Sequence, residues 1–175
     1  MTVTVTPSIS DVYTALRTLL LVVVPSGTEV IRGLGNRVPE PAAPFIAMTL
    51  ITEHRIATNI VSYVDPGSGI GMKAIEYQVQ LMMQIDCYGP QSAEWSAAIS
   101  ALFRDEFACT SLAPVCQPLH ADDGQMMPLI NGEEEYEERW MVGGILQWNP
   151  ILTTPQEFAD TLTVDLINVD ERYPV

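Results

Sequence analysis

Residues 78–106 read QVQLMMQIDCYGPQSAEWSAAISALFRDE, and the fold turns on this stretch. Val79, Leu81, Met83, Ile85 and Cys87 alternate with Gln78, Gln80, Met82, Gln84 and Asp86. A period of two over residues 78–87 predicts a strand with one apolar face, and it puts Cys87 on that face. Gly89-Pro90 ends the strand. Beyond it, Ser92 can cap a helix and Glu94 favours the positive helix end, with Trp95, Ala98, Ile99, Leu102 and Phe103 forming one stripe. The spacing predicts a helix over 92–106. A cysteine just before a strand-to-helix turn is also where some enzymes hold a nucleophile. That role needs a base nearby and partial exposure. The chain has two histidines, His54 and His120, and neither lies close in sequence. An inward thiol packs as a small hydrophobe, and that is the expectation for Cys87.

Working outward, Ser8-Ile9-Ser10-Asp11 offers capping side chains, and Val12, Leu16, Leu19, Leu20 and Val23 follow at helical spacing. A helix is expected over 10–23, stopped at Pro25-Ser26-Gly27. Residues 28–34 read as a short strand. Pro39, Pro41 and Pro44 impose an extended connection. Residues 45–51 are apolar on both faces, which marks a strand covered on both sides, and the sequence turns polar at 52–55. Another short strand is expected over 58–64, then a flexible tip from Asp65 to Gly71. Residues 107–127, with Pro114 and Pro118, read as irregular. Asn131-Gly132 predicts a turn leading into a strand on which Tyr136, Glu138, Trp140 and Val142 share a face. Gly143-Gly144 signals a bulge or a close backbone approach. A last strand is expected over 158–169. The sum is a single α+β domain over 1–175: a mostly antiparallel or mixed sheet of five or six strands, with two main helices on one face.

The chain has 175 residues, 47% hydrophobic and only 17% charged, which excludes a disordered protein and favours self-association. It holds 22 acids against 8 bases, a formal net charge of −14, and Lys73 is its single lysine. Tight phosphate binding needs clustered Lys or Arg, so wrapping nucleic acid is excluded while letting it pass is not. Three cysteines without CxxC spacing argue against a disulfide scaffold or a four-ligand zinc site. The start, MTVTVTPSISD, lacks the segments of a signal peptide, and the apolar run 19–24 is too short to span a bilayer. A soluble, cytosolic protein with no membrane partner is expected.

Three other motifs suggest chemistry and are better explained without it. His120-Ala121-Asp122-Asp123-Gly124 combines an imidazole with two adjacent carboxylates, but adjacent side chains diverge, and calcium loops alternate their acids. Gly33-Leu34-Gly35-Asn36 begins like a dinucleotide loop, yet no third glycine opens a helix. The run Glu133-Glu134-Glu135-Tyr136-Glu137-Glu138 is a solvated hairpin end or the lining of a wide lumen. No catalytic group, metal or cofactor is expected.

The segment Asp86-Cys87-Tyr88-Gly89-Pro90, followed by an Ala-rich helix ending in Phe103-Arg104-Asp105, resembles the phage neck and tail terminator proteins. Gly35-Asn36-Arg37-Val38-Pro39-Glu40-Pro41 before the strand PFIAMT, and Arg55-Ile56-Ala57-Thr58-Asn59 before a short strand, are similar to the same family. The order of these motifs covers roughly residues 10–110. The resemblance implies a structural virion protein at the top of the tail, made in the host cytoplasm. It implies an α+β subunit in a ring, commonly a hexamer, that caps the tail tube, ends its growth and joins it to the head connector. Its partners would be further copies of itself, the tail tube protein and the head–tail connector protein. Duplex DNA would pass through the lumen without specific binding. Within that frame, Asn36, Arg37, Pro39, Pro41, Asp65 and Gly67 are candidate interface residues, and Glu133, Glu134, Glu135, Glu137 and Glu138 are candidates for the lumen. The competing readings are another connector or tube-end ring protein, and a small cytosolic enzyme of the Cys–His hydrolase type.

Overall fold

A computed structural model describes residues 3–33, 35, 41–130, 136–159 and 164. The elements in order are β1 (Thr4–Thr6), α1 (Ile9–Val23), β2 (Glu29–Arg32), β3 (Phe45–Arg55), β4 (Ile60–Val64), β5 (Gly71–Glu76) and β6 (Val79–Tyr88). Then come α2 (Ser92–Leu102), α3 (Glu106–Leu112), β7 (Gln117–Ala121), β8 (Gln125–Met126), β9 (Leu129–Ile130), β10 (Tyr136–Glu137), β11 (Arg139–Trp148) and β12 (Ile151–Gln156).

The main sheet has the order β2-β3-β6-β11-β7, with β8 also on β11. Strand β6 pairs antiparallel with β3 on one side and β11 on the other, each time from Val79 to Tyr88. Its odd-numbered residues Val79, Leu81, Met83, Ile85 and Cys87 are all buried in one core, as the alternation predicts. The same core takes Leu16, Leu19 and Leu20 from α1, Trp95 and Ile99 from α2, and Ala108 and Leu112 from α3. All three helices therefore cover one face of the sheet. The α+β class, the largely antiparallel sheet and the one-sided helices match the expectation.

Helix α1 begins one residue earlier than expected because Ser8, not Ser10, is its cap. The Ser8 hydroxyl accepts from the Asp11 amide at 3.2 Å, and the Asp11 carboxylate accepts from the Ser8 amide at 2.7 Å. This reciprocal pair satisfies two helix-end donors, and the Ser8 amide, with the Ser8 hydroxyl, donates to the Asp11 carboxylate and holds it below its ordinary pKa. The helix expected over 92–106 ends at Leu102. Asp105 then caps a separate helix α3, its carboxylate accepting from Phe107 N at 2.8 Å. Residues 107–127, expected to be irregular, thus contain α3, β7 and β8. The prolines lie where they cost little: Pro114 follows α3, and Pro118 sits on the edge strand β7.

A second sheet, of order β1-β12-β5-β4 and wholly antiparallel, was not anticipated. It is an arm grown from the main sheet. The β6·β11 pair ends at Val79↔Trp148, and the β5·β12 pair takes up at Glu76↔Ile151. Between them Tyr77 N donates to Pro150 O at 3.2 Å, and beside them Ile56 N donates to Gln78 O at 3.1 Å. Three strand runs thus cross from one sheet to the other. Pro155 lies inside β12, beyond the stretch that β1 covers, where a missing N–H is tolerated. In the strand expected over 158–169, Phe158, Ala159 and Val164 belong to no strand, and the other residues lie outside those described. The Asn131-Gly132 turn also lies outside them, but its flanks pair as a hairpin, Tyr136↔Ile130 and Glu137↔Leu129.

Gly143-Gly144 is a close approach. A Cβ on Gly144 would stand 2.7 Å from Phe103 Cε1, and one on Gly143 2.9 Å from Asp122 Oδ2. Phe103 is fully buried at the end of α2 and cannot retreat into solvent. Gly144→Ala is expected to cost about 1–3 kcal/mol by overpacking, read as a lower urea midpoint with unchanged slope.

Candidate interaction surfaces

The strand-to-helix joint is built from the backbone. Gly89 adopts φ 107°, a conformation that favours glycine, and a Cβ there would meet Pro44 Cβ at 2.9 Å. Its amide donates to Glu138 O and its carbonyl accepts from Ser92 N, both at 3.0 Å. That turn draws Ser92 inside the helix as its first residue. Ser92 is therefore not the cap; Gln91 takes that position without a side-chain bond, and the buried Ser92 hydroxyl has no partner among the described residues.

Cys87 is fully buried beside this joint. Burial, with the Asp86 carboxylate adding to it, pushes its thiol up to about 12. Register separates it from both histidines. Cys87 faces Ile46 on β3, and His54 pairs seven residues back along β6, at Gln80, about 23 Å along the strands. On β11 Cys87 faces Trp140, and His120 pairs five residues on, at Ile145, about 17 Å along the strands. No histidine can act as its base. Cys116 is likewise pushed up to about 12 by burial, whereas Cys109 is half-buried. Native protein should therefore be alkylated at Cys109 first. Cys87 and Cys116 should react only after denaturation, since the thiolate at pH 8 is roughly one part in ten thousand; peptide mapping after timed iodoacetamide treatment reads this directly.

The other face of β6 holds a feature the sequence reading missed. Asp86 is buried at 3% exposure, on the side away from the helices. Its Oδ1 accepts from Arg139 Nε at 3.0 Å and Nη2 at 2.9 Å, and its Oδ2 from Gln84 Nε2 at 2.8 Å. Phe45 stacks on Tyr88 beside the pair, centroids 4.3 Å apart, and Arg139 lies 5.6 Å over the Tyr88 ring. Gln84, Asp86, Tyr88 and Arg139 floor an open cavity of about 630 Å³ with Glu29, Ile31 and Pro41 on its wall. A signal existed: Asp is unusual near the end of an apolar strand, and a buried carboxylate demands a cation. Removing it should be costly. Asp86→Ala leaves the largely covered Arg139 unpaired and is expected to cost about 3 kcal/mol, measured by urea unfolding, while Gln84→Ala should cost clearly less.

Three of the candidate interface residues fall among those described. Pro41 is half-buried at the cavity. Asp65 and Gly67 lie at the exposed tip of the arm, where Asp65 Oδ1 accepts from Gly67 N at 2.8 Å. Asn36, Arg37 and Pro39 lie outside the described residues, as do Glu133, Glu134 and Glu135 of the acidic run. Of the remaining two, Glu137 pairs across to Leu129, and the Glu138 carboxylate accepts from Trp140 Nε1 at 3.0 Å. Lys73, the single lysine, sits 5.9 Å over the Tyr63 ring on the arm, and Asp123 faces Arg104 at 3.5 Å. Among the described residues no three His, Cys, Asp or Glu side chains are grouped to hold a metal, and no helix is long and apolar enough to cross a membrane.

The described residues thus form an α+β body with helices on one face of its sheet, a second sheet continuing three of its strands, and a buried Cys87 far from both histidines. Residues 10–171 match the phage neck terminator protein family, and the chain belongs to it. No curated protein matches the chain. Membership makes this a structural protein of the phage neck, and it extends well past residue 110, where the motif resemblance ended.

Proposed function

We propose that the chain acts as one tail-terminator-like domain and forms a ring, a hexamer, at the top of the tail tube. The ring ends tube growth and joins the tail to the head–tail connector, so the tube protein, the connector protein and neighbouring copies are its partners. It works in the virion without catalysis and without a cofactor. The match to the neck terminator family along residues 10–171 carries this reading. The position of Cys87, remote from both histidines, supports the absence of catalysis.

Charge supports a passage role for the lumen. Six copies at −14 each carry a formal charge of −84. An acidic wall repels phosphates and lets duplex DNA slide, because no cationic cluster pins it. Glu133, Glu134, Glu135, Glu137 and Glu138 are the proposed lumen residues. Asn36, Arg37, Pro39, Pro41, Asp65 and Gly67 are proposed to touch neighbouring subunits or partners.

Negative-stain microscopy with native mass measurement should show a homogeneous ring, and a monomer at every soluble concentration would overturn the proposal. The parent ring should not retain duplex DNA at low salt. Replacing Glu133, Glu134 and Glu135 together by Lys should create retention that salt abolishes; unchanged behaviour would remove the acidic run from the lumen.

A further inference from the structure

The arm sheet ends on two edges of unequal kind from those of the main sheet. An open strand edge is a template for pairing with another chain, and monomeric proteins blunt it with charge, proline, a bulge or brevity. The main sheet follows that rule. Its edge strand β2 carries Glu29 and Arg32, and β7 carries Pro118 and a register shift against β11. Strand β4 does not follow it. Ile60-Val61-Ser62-Tyr63-Val64 has no charge and no proline, is exposed at all five positions, and pairs only with β5 among the described residues. At the opposite edge β1, Thr4-Val5-Thr6, is also uncharged and exposed, and among the described residues pairs only with β12.

Two observations say what fits these edges. The first is direction. Each strand of β1-β12-β5-β4 is antiparallel to its neighbour, so β1 and β4 run oppositely. A rotated second copy set edge to edge therefore presents its β1 antiparallel to β4, and the ladder continues without a break. The second is charge. The four strands hold one base, Lys73, and one acid, Glu76, so this sheet is neutral in a chain of −14. Copies that repel elsewhere can meet here. Exposed Val5, Val61 and Tyr63 would lose apolar surface to water in the contact.

We propose that copies of this chain join by strand addition, β4 of one copy pairing antiparallel with β1 of the next, so that the arm sheet runs on from subunit to subunit. The contact is head to tail, and it closes when the rotation per copy divides a full turn. The inference rests on the ring reading and names the contact that builds it.

The test uses the full chain carrying Cys109→Ser, which leaves two buried thiols. Val5→Cys and Ser62→Cys are introduced together and singly at these exposed mid-strand positions. After mild oxidation the double variant should give a ladder of covalent oligomers, and each single variant should stay a single-chain band. A second variant, Val61→Lys with Tyr63→Lys, should lose assembly at concentrations where the parent is fully assembled, with an unchanged far-ultraviolet circular dichroism spectrum. A ring that forms without the ladder, or that survives the two lysines, overturns strand addition and leaves the ring reading intact. Dimers from Ser62→Cys alone would show β4 meeting β4 and also overturn it. Failure of the parent to form any oligomer overturns both.

Discussion

Strand β6 is hydrogen-bonded along both edges from Val79 to Tyr88, and the rest of the subunit is arranged around that double ladder. A strand paired on both sides cannot slip by one residue without turning its whole apolar set to the wrong face. Here that set is Val79, Leu81, Met83, Ile85 and Cys87, and three helices close over it. The opposite set is held by a different force. Asp86 is buried with Arg139 and Gln84 as partners, and such a pair resists slippage because a shifted register would leave a buried charge alone. Register is thus specified twice, once by apolar burial and once by charge.

The same ladder gives rise to the arm. Strands β3, β6 and β11 continue past short breaks into β4, β5 and β12, so the second sheet inherits its alignment from the first. Among the described residues no helix makes more than slight contact with it, and Val5, Ile60, Val61, Tyr63, Val64 and Ile151 are exposed. Under the proposed strand addition, neighbouring molecules would cover that exposed surface. Membership of the phage neck terminator family places it where such neighbours are found.

The parts legible in the sequence were those with strong local signals. Period two identified β6, helical spacing identified α1 and the start of α2, and the Gly-Gly pair identified the close approach of β11 to Phe103. The parts that escaped had mixed or contrary signals. Helix α3 is seven residues long and follows α2 at once, so one periodic stretch ran into another. Strand β12 contains a proline, a usual mark against a strand, and is allowed it only because β1 ends before Pro155. Strand β5 lies directly before β6 in sequence but carries no strict alternation, and the bend at Tyr77-Gln78 is invisible without the Pro150 carbonyl that holds it.

Cys87 separates the two kinds of information. Alternation in the sequence was enough to turn it inward, because side-chain direction on a strand depends only on parity. Its distance from His54 and His120 depended on strand order and register, which are set by long-range pairing. The sequence by itself determined the class, the strand-to-helix joint, the acidic balance and the family resemblance, all of which follow from local pattern or composition. Only the tertiary structure decided that Asp86 and Arg139, far apart in the chain, meet in a buried pair, and that a second, neutral sheet ends, among the described residues, on two open edges. Those features arise from which strands lie side by side, and no stretch of residues encodes that alone.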